Sequence, residues 1–169
     1  MTDDSSQLEL VRLFVNTLDV EDGVDVLDRG WLLDHGLIGR QDAVSSDDLR
    51  RLAAVREAIR ELLLANNGVP VDVRAATAVL DGAALEARLS VRFRPDATVD
   101  IEGDGPVSRI LAHVAGALES ESWSRLKACR APDCRWAFYD TARNRSRAWC
   151  SMDVCGNRAK ARAFRARQH

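Results

Sequence analysis

No stretch of the 169-residue chain holds eighteen consecutive apolar residues, so no hydrophobic helix able to span a bilayer is expected. Met1 leads into Asp3 and Asp4 rather than into a basic and then apolar stretch. No secretory signal is read there, and a cytoplasmic protein is expected. A glycine-rich phosphate loop, an H-E-x-x-H pair and a G-x-S-x-G elbow are all missing. Histidine is scarce, with His35, His113 and His169 scattered along the chain. Without a recognisable catalytic constellation, an enzyme is not expected. Internal repeats and low-complexity segments are absent as well. Lysine is nearly missing, since 22 of the 24 basic residues are arginine. That skew reflects a GC-rich genome as readily as phosphate chemistry and carries no functional weight.

What is present begins with an uneven distribution of charge. The overall net charge is −2, yet residues 125–169 carry twelve basic residues against Asp133, Asp140 and Asp153, a net +9. Residues 1–124 are left at −11. Such asymmetry points to nucleic acid or membrane contact by the basic part, or to a solvated basic tail. With 46% hydrophobic and 30% charged residues, the chain as a whole suits a folded globular protein.

All four cysteines fall in the basic segment, as C-x4-C, fifteen residues, C-x4-C: Cys129, Cys134, Cys150 and Cys155. Two close-spaced pairs joined by a longer loop are the usual donor set of a tetrahedral structural zinc, although the commonest knuckle is two residues wide. Disulfides are the competing account, disfavoured in a reducing compartment, and four unrelated thiols are a third. Four thiolates would leave no open coordination position, so such a metal would hold a fold rather than do chemistry. A 45-residue module has little core of its own, and zinc would supply what is lacking. Removing the metal is then expected to melt residues 125–169 and leave the preceding helices folded. Arg130, Arg135 and Arg147 are placed to offset the −2 charge of a four-thiolate zinc.

The periodicity reads as α+β, mostly helical. Helices are expected over Gln7–Leu18, over a broken stretch from Val24 to Leu37 stopped by Gly36, and over Asp47–Asn66. The last of these is capped by Ser45 or Ser46, carries the apolar stripe Leu49, Leu52, Val55, Ile59, Leu62 and Leu63, and ends at Asn67-Gly68. Two further helices are expected, from Val71 to Leu85 and from Pro106 to about Glu121. Between them one small hairpin alternates at Leu89, Val91 and Phe93, turns at Pro95-Asp96-Ala97 and returns through Val99 and Ile101. The basic segment reads as short strands around the metal with Trp136, Phe138 and Tyr139 as its core. A final helix capped by Asp153 would dock through a stripe of Asn157, Ala161, Phe164 and Gln168.

The stretch Trp149–Lys160 contains C-G-N-R at Cys155–Arg158 and resembles the signature of the CGNR zinc-finger family. The preceding C-x4-C-R-W-A-F-Y-D and R-N-R-S-R-A-W-C runs are similar to the same finger. In the N-terminal half, Leu13–Leu18 and the Trp31–Gly36 stretch resemble the ABATE domain found in bacterial stress-induced transcription regulators. The resemblance implies an ABATE-like domain over 1–124 and a basic treble-clef or ribbon-like four-cysteine finger over 125–169 ending in a helix. It implies one structural zinc on Cys129, Cys134, Cys150 and Cys155, and double-stranded DNA as partner.

The cations placed for such contacts are Arg143, Arg145 and Arg147 in the inter-knuckle loop and Arg158, Lys160, Arg162, Arg165 and Arg167 on the helix. Asn144 and Asn157 could read adenine but suit turn and cap roles better. The acidic N-terminal domain would repel DNA and point away from it. It would sense an effector in a pocket at Asn16 and Trp31, or form a homodimer; Asn16 satisfying a backbone group and Trp31 filling core is the plainer account. A zinc module binding RNA or a protein partner is the alternative function, disfavoured by how few aromatics are free to stack on bases.

Overall fold

The structure is a computed structural model and describes residues 4–167. Helix α1 (Asp4–Val15) leads into a short antiparallel pair, β1 (Leu18–Asp19) and β2 (Val24–Asp25), and then α2 (Arg29–Asp34). Helix α3 (Ser46–Asn66) and helix α4 (Val73–Glu86) follow. Then come the hairpin of β3 (Ser90–Phe93) and β4 (Val99–Glu102) and helix α5 (Gly105–Glu119). A 3-10 turn, Trp123–Arg125, leads to the antiparallel pair β5 (Leu126–Ala128) and β6 (Ala137–Tyr139). A π-helical turn, Met152–Gly156, then opens directly into α6 (Asn157–Ala166). The mostly helical α+β reading holds; among the described residues the strands form three two-stranded pairs, of which β3–β4 is the expected hairpin, β5–β6 lies in the segment expected to hold short strands, and β1–β2 was not expected.

Helix α3 is the axis of the molecule. Its start is a full capping box: the Ser45 hydroxyl accepts from the Asp48 N–H, and the Asp48 carboxylate accepts from the Ser45 N–H at 2.9 Å. Leu52, Val55, Ile59 and Leu63 are buried along it, packed with Val11, Phe14 and Val15 of α1 and Ile110 and Val114 of α5. It ends at Gly68, whose φ of +71° requires glycine. A Cβ there would also sit 3.2 Å from the Arg130 guanidinium, so this stop leaves room for a side chain of the basic segment.

Two expectations change at this level. Val24–Leu37 is not a single broken helix: Val24-Asp25 is a strand, and Asp28 caps α2 by accepting from the Trp31 N–H at 2.7 Å. The strand is held by Arg56, a buried arginine of α3 that donates to both Asp25 carboxylate oxygens at 2.8 Å and to the Thr17 hydroxyl. Nor is the basic segment a free-standing module. Leu126, Ala128 and Ala137 from β5 and β6 belong to the main hydrophobic core, together with the α1, α3 and α5 residues.

Candidate metal centre and cationic surface

The first cysteine pair is set by the β5–β6 turn. Cys129 follows β5 and donates its N–H to the Trp136 carbonyl, while the Cys134 and Arg135 N–H groups close on the Ala131 carbonyl at 3.0 and 3.1 Å. Arg135 takes a φ of +52° to complete that turn. The second pair brackets the π-helical turn, with Cys150 just before it and Cys155 inside it. Ser151 caps this turn by accepting from the Val154 N–H; the expected cap, Asp153, is exposed and instead gives its carbonyl to the Asn157 side chain.

The four sulfurs converge, all within 4.8 Å of one another, with Cys134–Cys150 at 3.5 Å and Cys150–Cys155 at 3.7 Å. Every cysteine is a free thiol. Bonds of about 2.3 Å in a tetrahedron place sulfurs about 3.8 Å apart, so the cluster has the dimensions of a closed four-thiolate site and not of a disulfide pair. The electrostatics agree. The hydrogen bond from Cys134, opposed by burial and aided by the Cys150 and Ala131 N–H groups, lowers the Cys129 pKa to about 5. The hydrogen bond to Cys129 and then burial push Cys134 far up, while burial and the neighbouring Cys129 charge hold Cys150 up at about 12. Crowded thiols that cannot all ionise alone need a divalent cation to become four thiolates.

The loop between the pairs is organised from inside by Lys127 and Asp140, both buried. The Lys127 ammonium donates to Asp140 at 2.7 Å and to the Arg145 carbonyl at 2.6 Å. Asp140 also accepts from the N–H groups of Ala142 and Arg147. Burial alone would raise its carboxyl, but the Lys127 hydrogen bond and these N–H groups hold it below the usual carboxylate range. Sequence reasoning missed this pair; the available signal was a Lys inside one otherwise apolar strand, Lys127 in β5, and an Asp just past another, Asp140 after β6.

The eight candidate nucleic-acid contacts divide into groups. Arg147 is committed to the finger: its guanidinium lies 4.9 Å over the Phe138 ring and donates to the Trp149 and Cys150 carbonyls. Arg145 donates to the Ser124 hydroxyl at 3.0 Å. Arg158 pairs with Glu21 in the β1–β2 turn at 2.6 Å, and Arg162 pairs with Asp133 at 3.0 Å. The acidic half therefore does not point wholly away from the basic helix. Arg143 and Lys160 are exposed, and Arg165 and Arg167 donate to the Ala161 and Ala163 carbonyls of their own helix.

Helix α6 buries no residue. Phe164 is 57% exposed, so the expected docking stripe is not formed, and Gln168 lies outside the described residues, as does His169. Trp149 packs against the cysteines with Phe138, whereas Tyr139 joins the main core. Arg130 and Arg135 reach the Asn67 carbonyl and Glu61. Asn144 accepts from the Ser146 hydroxyl, a turn role.

Asn16 spends its side-chain amide on the Ala137 backbone, donating at 2.9 Å and accepting at 2.7 Å across 121 residues of sequence. Trp31 packs against Phe14 and stacks on His35 at 4.0 Å. An effector pocket finds no support at these two side chains. Asn66 and Asn67 repeat the Asn16 device, donating to the Trp123, Leu126, Ala128 and Ala148 carbonyls. Arg60, fully buried, donates to the Val15, Leu18 and Arg135 carbonyls.

Comparison with known families decides what this arrangement belongs to. A family model described as "Putative stress-induced transcription regulator", ABATE, matches residues 9–121. The chain belongs to the ABATE family. A second model, the CGNR zinc finger, matches residues 125–168 and so contains the whole cysteine cluster. A search of curated proteins finds no match. Within this ABATE protein the finger supplies a candidate metal site, and no helix among the described residues is long and apolar enough to cross a membrane.

Proposed function

We propose that this ABATE protein is a zinc-dependent DNA-binding transcription regulator with no catalytic activity. One structural zinc on Cys129, Cys134, Cys150 and Cys155 fixes the finger, and the N-terminal half acts as a sensing or dimerising body. The supporting observation is α6: a helix that leaves the fourth cysteine with no buried side chain and carries Arg158, Lys160, Arg162, Arg165 and Arg167. A helix this cationic and this free of the core has the dimensions to enter a DNA groove. The zinc holds its base; the residues of the chain do the binding. Phe138 and Trp149 pack against the cysteines, which leaves little aromatic surface for stacking on single-stranded bases.

Titration of duplex and single-stranded probes across salt tests the reading. Contacts from Arg143, Lys160, Arg165 and Arg167 to phosphates give a slope of log K against log salt of about −4 on duplex. No duplex affinity at about 50 mM salt, or a preference for single-stranded RNA, overturns it.

A further inference from the structure

Ion pairs fix which side of α6 faces the rest of the chain. Arg158, in its first turn, meets Glu21 at 2.6 Å, and Arg162, four residues on, meets Asp133 at 3.0 Å. Both acids are held by their own surroundings. Glu21 sits in a turn where the Asp19 carboxylate accepts from the N–H groups of Glu21 and Asp22, and Asp133 lies inside the Cys129–Cys134 knuckle. At about 100° of rotation per residue, Lys160, Phe164 and Arg167 fall together on the opposite side, spaced i, i+4 and i+7. Lys160 has no partner among the described residues, and Arg167 donates to the Ala163 carbonyl without an acid beside it. Phe164, between them, is 57% exposed. It is the one large apolar side chain of α6; the rest of the helix is charged residues, alanines and Asn157.

We infer that Phe164 is the base-reading residue of α6, packing on the 5-methyl group of thymine in the major groove of duplex DNA while Lys160 and Arg167 meet phosphates. The inference rests on the DNA-binding reading and adds to it the face of the helix and the base. Three observations choose that occupant. The first is charge: two cations without acid partners flank an apolar ring, matching the order of phosphate, base edge and phosphate met across a groove. Lys160 and Arg167 stand about 10 Å apart along the helix axis, and long side chains at that spacing reach the phosphate rims of a groove about 12 Å wide. The second is size. Ala159, Ala161, Ala163 and Ala166 leave α6 slim, so its backbone can come close to base edges. The third is chemistry. The phenylalanine ring has no hydrogen-bonding group, and the apolar group that base pairs display in the major groove is the thymine methyl. An anionic membrane does not suit the helix, because lying in a lipid interface takes a whole apolar face and α6 offers one side chain. A second copy of α6 is repelled by the same cations.

Duplexes selected by the full chain from a random library supply the probe, and uracil in place of each thymine in turn removes the methyl group alone. The most tightly bound duplex carries a thymine at which this loss weakens binding about fourfold, the worth of one buried methyl group. Phe164→Ala, at a site too exposed to disturb folding, binds the thymine and uracil duplexes alike. Lys160→Ala weakens both equally and keeps the difference between them. A wild-type affinity indifferent to uracil at every position overturns the inference and leaves DNA binding standing. A methyl effect that survives Phe164→Ala overturns it as well, by assigning the methyl to another side chain. A duplex bent by the wild-type chain and straight with Phe164→Ala, without any uracil effect, overturns it in favour of a wedge between base steps. Failure to bind any duplex removes the DNA-binding reading itself and the inference with it, and anionic vesicles bound through Phe164 in that case name a different occupant.

Discussion

The two ends of the finger make opposite use of the same metal site. The β5–β6 end is fused to the N-terminal half: its strands lie in the main core, and Asn16, Asn66, Asn67 and Arg60 clasp its backbone. The α6 end buries nothing and, among the described residues, reaches the N-terminal half through the exposed ion pair Arg158–Glu21. A metal held by the four cysteines would therefore join a fixed part to a presented part. Stability should concentrate on one side of the cysteines and binding on the other.

Metal removal is the strongest test of that division. Structural zinc is worth on the order of 10–16 kcal/mol of apparent binding energy at neutral pH, so chelation should lower the thermal midpoint of the whole chain by well over 10 °C. Because β5 and β6 share the core, the helices of residues 4–119 should soften in the same transition. The sequence alone suggests that they would survive untouched. Circular dichroism melts with and without a chelator separate the two outcomes, and an unshifted first transition would mean that the finger is independent after all.

Next in size is the buried Lys127–Asp140 pair. Lys127→Met leaves Asp140 uncompensated in the interior and should cost about 3–5 kcal/mol, read as a shift in denaturant midpoint. The pH dependence has a definite sign. The Asp140 carboxyl is held below its ordinary value in the folded chain. Its contribution is complete above the ordinary carboxylate range and is lost as pH falls through the lower folded value, below about 4. Asp140→Asn should remove that part of the acid limb.

The smallest effects should fall on opposite sides of the cysteines. Asn16→Ala strips two hydrogen bonds from the Ala137 backbone and should cost about 1–3 kcal/mol of stability with little change in DNA affinity. Lys160→Ala should leave stability within about 0.5 kcal/mol and reduce the salt slope on duplex DNA by about 1. A reversal of these two signatures would erase the distinction between fixed and presented ends.

Features that depend on near neighbours are legible in the sequence. The Ser45–Asp48 capping box, the Asn67-Gly68 stop, the turn at Pro95-Asp96-Ala97 and the paired cysteines all declare themselves within a few residues. The β1–β2 pair does not, because two-residue strands carry no alternation to read and this one is held by Arg56 from 31 residues away. The clasp of Asn16 on Ala137 spans 121 residues, and nothing local distinguishes that asparagine from a solvated one. Helical spacing marks Phe164 as an anchor because it shows which side chains share a stripe, not whether anything lies opposite. The sequence presents the cations as one class, yet folding divides them: Arg147 braces the finger while Lys160 stays exposed.

Arg60 bears on how the presented helix is aimed. One guanidinium, sealed from water and balanced by Glu57, grips the end of α1, the start of the first hairpin and the knuckle at Arg135. Swivelling the finger against the helices would strand those carbonyls in a dry interior, so the bearing of α6 is inherited from the acidic half. A lysine, with a single ammonium and no planar fork, could not serve all three directions at once. Whatever shifts the end of α1 would thereby turn α6 as well.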